Sequence, residues 1–136
     1  MYIYHSSLSK LSGSNYAEVL AQAMLYYTPI KKRTKRRPYV RSQFFRKDKV
    51  FLDRFWPHLM QKSWGDRARR LKLFVCALDL LRHTTFLPTS KENPNKKHQI
   101  LHRFCGMTKD GELFFVQVRE DKQSAQKSLI SIFPKD

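Results

Sequence analysis

The chain has 136 residues, 41% of them hydrophobic and 13% aromatic, and its 27 basic residues against 11 acidic ones give a formal net charge of +16. This length is most simply one domain over residues 1–136, and the hydrophobic content excludes a disordered tail. The charge predicts a polyanionic partner, with nucleic acid ahead of an anionic membrane.

Three features bear on location. The sequence contains no run of about 18 apolar residues, so no transmembrane helix is predicted. The N-terminus lacks the basic-then-apolar pattern of a signal peptide. Cys76 and Cys105 lie in apolar surroundings, where we interpret them as reduced core thiols. We therefore expect a cytoplasmic protein with no membrane partner.

The N-terminal half is dominated by helical patterns. Residues 1–13 lack clear periodicity and are expected to be loose. Ser14 can cap a first helix, and Pro29 is expected to stop it. Ser63 precedes the third helix in a capping arrangement. Apolar residues at helical spacing predict three helices, over about residues 14–27, 48–60 and 66–82, and the second is expected to break at Pro57.

A strongly basic arm, residues 31–47, lies between the first two predicted helices. It holds nine basic residues and no acidic one, which favours phosphate binding, although a solvated loop or a localisation-like run is the alternative. Its aromatic residues can stack on bases or anchor it to the core. Further cations crowd the start of the third helix, against the helix dipole. The predicted nucleic-acid-binding residues are Lys31, Lys32, Arg33, Lys35, Arg36, Arg37, Arg41, Arg46, Lys47, Arg67, Arg69 and Arg70.

The last third of the chain, from His98 to Phe133, is typical of a three-stranded antiparallel meander. Asp110-Gly111 between two apolar runs predicts a two-residue type I′ turn, which makes Lys109 face Glu112. Counting back from this turn predicts that Met107 pairs with Phe114, Cys105 with Val116, Arg103 with Val118 and His102 with Arg119. The complete pattern predicts an α+β fold, with N-terminal helices packed on a C-terminal three- to four-stranded antiparallel β-meander.

This register assigns side chains to the two faces of the predicted sheet, because they alternate along each strand. The core face would carry Leu101, Cys105, Met107, Phe114, Val116 and Val118. The opposite face would bring together His102, Gln117, Arg119 and Ser131, framed by aromatic side chains.

Several chemistries are disfavoured by the residues present. On a strand, His98 and His102 are about 13 Å apart, too far for one metal ion, and no cysteine or carboxylate completes a ligand set. There is no glycine-rich phosphate loop and no nucleophile-elbow motif. We therefore expect neither a metal nor a cofactor.

Acid–base cleavage of RNA remains, and it needs few groups. A base takes the ribose 2′-OH proton, an acid protonates the leaving 5′-oxygen, and cations stabilise the phosphorane. His102 is suited to a proton role, with a surface histidine as the alternative. Arg119 can grip a phosphate, while Ser131 and Gln117 can hydrogen-bond its oxygens or orient the histidine. His83 is a second candidate, although it can also be a helix C-terminal cation.

Several short blocks carry a family resemblance: Arg82-His-Thr-Thr-Phe-Leu-Pro, Ile100-Leu-His-Arg-Phe, Thr108-Lys-Asp-Gly-Glu, Phe115-Val-Gln-Val-Arg-Glu-Asp-Lys and Ser131-Ile-Phe-Pro. Over about residues 80–134 the chain resembles phage- and mobile-element-borne nuclease-like domains of the barnase–EndoU–colicin–RelE superfamily. The resemblance implies helices packed on an antiparallel sheet and a metal-independent endoribonuclease, often a toxin acting on tRNA or mRNA. It also implies that His102 and Ser131 sit at the site, with Arg119 between them.

The preferred prediction is thus a toxin-like endoribonuclease that leaves 2′,3′-cyclic phosphate ends and has RNA as its partner. An acidic neutralising protein would be a further partner if translation is the target. The main alternative is a non-catalytic nucleic-acid-binding protein that uses the basic arm and an aromatic sheet face. A third hypothesis is an adaptor for an acidic protein or anionic membrane, although no amphipathic membrane helix supports it.

Overall fold

A mixed sheet of seven strands and four surrounding helices make up the computed structural model, which describes residues 2–135. The short strands come first in the chain, and the longest strands come last. The elements are β1 (Ile3–His5), α1 (Tyr16–Thr34), β2 (Tyr39–Ser42), β3 (Asp48–Phe51), α2 (Phe55–Met60), α3 (Trp64–Leu71), α4 (Phe74–His83), β4 (Thr89–Asn93), β5 (Lys96–Met107), β6 (Leu113–Asp121) and β7 (Lys127–Pro134).

The strands lie in the order β1-β5-β6-β7-β3-β2, and β4 also pairs with β5. Strands β5, β6 and β7 form an antiparallel meander, whereas β1 runs parallel to β5 and β3 runs parallel to β7. The class is α+β, but the predicted block of N-terminal helices on a C-terminal antiparallel meander is wrong, because strands and helices are interleaved. The early strands have only three or four residues each, too few for alternation to be visible in the sequence.

Strand β1 also corrects an expectation about the start of the chain. Residues 1–13 are predicted to be loose, yet Ile3 to His5 pair with the end of β5. Ser6 continues this contact through its backbone N–H, which donates to the carbonyl of Met107 at 2.9 Å. Met1 lies outside the described residues.

Helix α1 is longer than predicted and contains the proline expected to end it. Asn15, rather than Ser14, is the N-cap, and its Oδ1 accepts a backbone N–H of the first turn at 3.0 Å. Tyr27 and Ile30 are buried on either side of Pro29. Their packing against the core holds the helix together where the proline lacks an N–H.

The other predicted helices are divided differently in the structure. Strand β3 occupies the start of the helix predicted over residues 48–60, so only the short α2 remains. The helix predicted over residues 66–82 is broken into α3 and α4 near Leu73. Ser63 caps α3 as predicted, because its Oγ accepts the backbone N–H of Asp66 at 3.3 Å.

The basic arm, residues 31–47, is part of the folded body. Its first residues form the last turn of α1, and the following ones build β2 and the turn that leads into β3. Arg46 and Lys47 adopt left-handed φ angles of 57° and 66° in this turn. The two strands pair over four positions, which presents Arg41, Arg46 and Lys47 on a fixed hairpin.

The hairpin between β5 and β6 has a three-residue loop instead of the predicted two-residue turn. The Thr108 N–H donates to the Glu112 carbonyl at 2.9 Å, and the Gly111 N–H donates to the Thr108 carbonyl at 3.0 Å. Gly111 takes a φ of 87°, as expected at the left-handed position of such a loop. Met107 therefore pairs with Leu113, and the predicted register is wrong by one residue.

This one-residue shift reverses which side chains of β5 share a face with the core residues of β6. The face that packs under α4, here called the inner face, carries Phe104, Phe114, Val116 and Val118, all nearly fully buried. It also carries His102, which pairs with Val118. The other side is the outer face, with Arg103, Phe115, Gln117, Arg119, Ser131 and Phe133.

Candidate nucleic-acid cleft

His102 lies on the inner face, away from the residues with which it is predicted to converge. It is only 8% exposed. Its Nδ1 lies 2.7 Å from the Ser90 hydroxyl, and its Nε2 lies 2.8 Å from a carboxylate oxygen of Glu120. The ring of Phe45 packs edge-on against it at 5.2 Å. The predicted convergence of His102 with the other candidates on one sheet surface is therefore wrong.

The polar contacts of His102 continue through the sheet. The second carboxylate oxygen of Glu120 is 3.8 Å from Lys127 Nζ, which is bound to Asp48 at 2.8 Å and to the carbonyl of Ala125 at 3.0 Å. This series of polar contacts joins β3, β5, β6 and β7. A buried ammonium and imidazole are thus satisfied by hydrogen bonds, as buried polar groups must be.

The other three sheet candidates remain on the outer face. Gln117 and Ser131 are direct neighbours on β6 and β7. Arg119 follows them beyond a bulge and pairs with Ser128. His83 lies elsewhere, in the last turn of α4, where its side chain is 62% exposed and its Nδ1 is 3.0 Å from Asp79.

A cleft opens where α2 and α3 meet the outer face beside β7. Its volume is about 360 Å³, and apolar side chains of α2 and β7 form its floor. We call it the sheet cleft. The polar and aromatic residues that line it are His58, Lys62, Arg70, Gln117, Ser131 and Phe133.

Helix α2 positions His58 because Phe55 and Leu59 anchor the helix in the core. Phe55 and Leu59 are buried with 1% and 2% exposure, which fixes α2 against the core, and His58 lines the cleft beside them. Lys62 follows in the tight turn after the helix, where its backbone N–H donates to the Leu59 carbonyl at 3.1 Å. Both side chains thus enter the cleft from one short, well-packed element.

Arg70 forms the opposite wall and is held by its own helix. Its Nε donates to Asp66 at 2.9 Å, one turn earlier in α3. Its Nη1 donates to the Ser131 hydroxyl at 3.1 Å, and the guanidinium lies 5.7 Å from the Phe133 ring centroid. Because a guanidinium carries five N–H groups, these contacts leave donors free to bind a further oxygen.

The surroundings of His58 favour the neutral form of its imidazole. Its pKa is lowered from the usual value of 6.5, first by burial and then by the positive charges of Arg119 and Lys62. Within residues 2–135, neither ring nitrogen of His58 has a hydrogen-bond partner. The cleft therefore contains a histidine whose neutral, proton-accepting form is favoured, beside cations that can hold an anion.

Sequence reasoning passed over His58 because no chemically useful residue adjoins it. The residues that surround it come from α3, β6 and β7, at sequence distances that no local pattern links. The only local signal is the four-residue spacing of His58 and Lys62. This spacing would indicate a shared helical face, but α2 ends at Met60.

A second cavity extends the sheet cleft along the outer face. It has a volume of about 260 Å³, is lined by Thr89, Lys91, Leu101, Arg103 and Phe115, and shares Gln117 with the sheet cleft. Phe115 stacks on Phe133 at 5.3 Å, and the Arg103 guanidinium lies 5.3 Å from the Phe133 ring. Among the described residues, no carboxylate lines either cavity.

The predicted nucleic-acid-binding residues are spread over several surfaces. Only Arg70 lines the sheet cleft. Arg37 makes a bidentate pair with Asp53, with both contacts at 2.9 Å. Arg41 donates to the carbonyl of Lys47 at 3.0 Å, and Arg69 bonds with Asp66 at 3.2 Å. The remaining residues of the basic arm are exposed: Lys31, Lys32, Arg33, Lys35, Arg36, Arg46 and Lys47.

Comparison with known proteins gives no relative from which a function can be transferred. No family model matches the chain, and neither a curated protein nor a solved structure matches it. Over residues 2–135, no helix is long and apolar enough to cross a membrane, and no three or more His, Cys, Asp or Glu side chains cluster so that they could hold a metal ion. The function is therefore inferred from the side chains of the cleft.

Proposed function

We propose that the chain is an endoribonuclease that cleaves single-stranded RNA in the sheet cleft by metal-independent acid–base chemistry. One observation carries this proposal: a neutral, unpartnered His58 lies among cations in a cleft that no described carboxylate lines. A phosphodiester brings the negative charge that this site lacks, and the ribose brings a hydroxyl from which a base can remove a proton.

The proposed reaction is an internal transesterification. His58 takes the proton of the ribose 2′-OH as the 2′-oxygen bonds to phosphorus. The bond from phosphorus to the 5′-oxygen then breaks, and Lys62 donates a proton to that oxygen. The products are a 2′,3′-cyclic phosphate and a free 5′-OH. Because the RNA supplies its own nucleophile, this route needs only a base, an acid and charge stabilisation.

The other residues of the cleft would hold the phosphate. Arg70 presents guanidinium N–H groups to the non-bridging oxygens. The Ser131 hydroxyl accepts from Arg70 and keeps its own hydrogen to donate. Gln117, its neighbour across the β6–β7 ladder, adds an amide donor. Arg119 contributes positive charge close enough to lower the pKa of His58.

The aromatic pair beside the cleft supports single-stranded RNA as the substrate. Phe115 and Phe133 stack on each other and are half-buried, so that part of each ring remains available for a base. Base–aromatic stacking contributes about 1–3 kcal/mol per base in single-strand binding. The RNA would be tRNA or mRNA, and an acidic protein is the proposed neutralising partner for this strongly basic chain.

A specific observation also favours a second candidate function, nucleic-acid binding without cleavage. On the β2–β3 hairpin, Lys49 lies 4.7 Å and Arg41 lies 5.5 Å from the ring centroid of Tyr39. This exposed cation–aromatic group can bind a nucleic-acid strand without the sheet cleft. A protein that only binds would retain RNA in a gel shift and release no product.

The proposal is tested by incubating the purified chain with single-stranded RNA in EDTA and analysing the ends of the products. We expect discrete fragments with 2′,3′-cyclic phosphate and 5′-OH ends. An RNA of the same sequence that carries 2′-O-methyl groups should bind but stay intact, because its 2′-oxygens have no proton to lose. Binding of the unmodified RNA without any product would favour the second candidate and contradict the first.

A further inference from the structure

A separate cleft lies on the opposite side of α3 from the sheet cleft. Arg70 faces the sheet cleft, whereas Trp64, Ala68 and Lys72 line this one, as their helical spacing requires. Its volume is about 680 Å³, and its other wall comes from the chain around the start of α1, including Tyr16. We call it the Trp64 cleft.

Trp64 is the most unusual residue of this cleft because it is 68% exposed. Its orientation is nevertheless restrained. The Arg67 guanidinium lies 4.5 Å from the indole ring, and Tyr16 packs edge-on at 5.6 Å. Arg67 is itself held by carbonyls of the preceding turn, including that of Lys62 at 2.9 Å. An aromatic surface held in place in this way loses little side-chain entropy on binding a flat partner.

The charges around the Trp64 cleft determine which planar ligands it favours. Lys10, Arg69 and Lys72 line it, and Arg67 adjoins the indole. Lys10 and Arg69 are partly neutralised by ion pairs with Glu112 and Asp66, but no described carboxylate lines the cleft itself. Cationic ligands are therefore repelled, and an aromatic ring attached to an anionic backbone is favoured.

The Trp64 cleft and the sheet cleft come close to each other at the turn between α2 and α3. Lys62 lines the sheet cleft and Trp64 follows two residues later, so their Cα atoms are at most about 7 Å apart. Arg67 bridges the two positions, since it binds the Lys62 carbonyl and covers the indole. A strand that leaves the sheet cleft past Lys62 would pass Arg67 before it meets Trp64.

We propose that the Trp64 cleft is a nucleobase-binding subsite, in which a base flanking the cleaved position stacks on Trp64 while its phosphate lies beside Lys72. This inference rests on the proposed function for the identity of the ligand, single-stranded RNA. It adds a contact outside the reacting nucleotides, so the chain binds longer RNA more tightly than the sheet cleft alone would allow.

The test measures binding of a single-stranded octanucleotide in which every ribose is 2′-O-methylated, so that no cleavage interferes. Trp64→Ala is compared with wild type and with Leu25→Ala, a matched control because Leu25 on α1 is also 68% exposed. We expect Trp64→Ala to bind about five- to a hundred-fold more weakly, as loss of one stacked base requires. Leu25→Ala should bind like wild type, and quenching of tryptophan emission by the oligonucleotide should be smaller in Trp64→Ala than in wild type.

The affinity for the 2′-O-methylated octanucleotide decides whether the subsite exists. If Trp64→Ala binds the octanucleotide as tightly as Leu25→Ala, or if wild type does not bind it, the subsite does not exist. Cleavage of unmodified RNA is measured separately in wild type. Cleavage without dependence of binding on Trp64 overturns the subsite alone. Binding that depends on Trp64 without cleavage overturns the proposed reaction and leaves the subsite in place.

Discussion

Arg70 donates a hydrogen bond to the Ser131 hydroxyl at 3.1 Å, and this contact joins α3 to β7 across the sheet cleft. Asp66 fixes the same guanidinium from behind at 2.9 Å. The arginine is therefore oriented before any ligand arrives, which lowers the entropy lost on binding. The wall of the cleft that we propose binds a phosphate is thus assembled from residues 61 positions apart in the chain.

Lys62 is predicted to contribute to phosphate binding, and salt dependence can measure its contribution. Replacing Lys62 with Gln removes one cation from the cleft. For 2′-O-methylated single-stranded RNA, the slope of the logarithm of the association constant against log[salt] should therefore become shallower by about 0.7. Lys122→Gln is the control, because Lys122 lies in the β6–β7 loop and pairs with Glu92. An unchanged slope in Lys62→Gln would remove this lysine from the RNA contact surface.

The pH dependence of cleavage should reflect the lowered pKa of His58. A neutral imidazole is the active base, so kcat/KM should fall as the pH drops through the His58 pKa, and the midpoint of this limb should lie below 6.5. Arg119 is the first of the two charges that lower this pKa. Arg119→Gln should therefore move the midpoint to higher pH. A wild-type midpoint at or above 6.5, or no upward movement in the variant, would contradict this role for His58.

His102 is predicted to support the fold rather than the reaction. His102→Ala leaves Ser90 and Glu120 without their partner on the inner face, so the free energy of unfolding should fall by about 1–3 kcal/mol. Denaturant unfolding followed by circular dichroism measures this change. At a temperature where the variant is fully folded, its cleavage rate should stay close to that of wild type. A stable variant without activity would show that His102 takes part in the chemistry.

Gly106 gives a direct test of the observed register. A Cβ at this position would lie 2.5 Å from Phe114 Cζ and 2.9 Å from Leu80 Cδ1. Gly106→Ala should therefore destabilise the fold by about 1–3 kcal/mol through overpacking. Gly65→Ala, where a Cβ meets no atom within 4 Å, is the matched control and should be neutral or stabilising, since alanine favours helix. Equal stability of the two variants would be incompatible with the observed pairing.

The β5–β6 hairpin illustrates what the sequence can and cannot predict. Alternation and the Asp110-Gly111 pair correctly locate a meander and its turn. They do not distinguish a two-residue turn from a three-residue loop, because Gly111 suits the left-handed position of either. That single residue decides whether His102 shares a face with Ser131 or with Val118. Gln117, Arg119 and Ser131 keep a common face because they belong to β6 and β7, whose faces do not depend on this turn.

The remaining differences come from contacts between distant residues. Pro29 is a reliable helix breaker only when nothing holds the helix beyond it, and here Tyr27 and Ile30 pack into the core on both sides. Strands β1 and β3 are defined by pairing with β5 and β7 rather than by their own few residues. His58 becomes a candidate base only when the fold partly buries it and brings Arg119 near it.

Comparison of His58→Ala with His83→Ala in an RNA cleavage assay in EDTA tests the central claim most directly. His83 is the control, because it is exposed at the end of α4 and lies outside the cleft. Loss of the proposed base should reduce the cleavage rate by about 10²- to 10⁴-fold without loss of binding to 2′-O-methylated RNA, while His83→Ala should cleave like wild type. Full activity in His58→Ala would contradict the assignment of the sheet cleft as the active site.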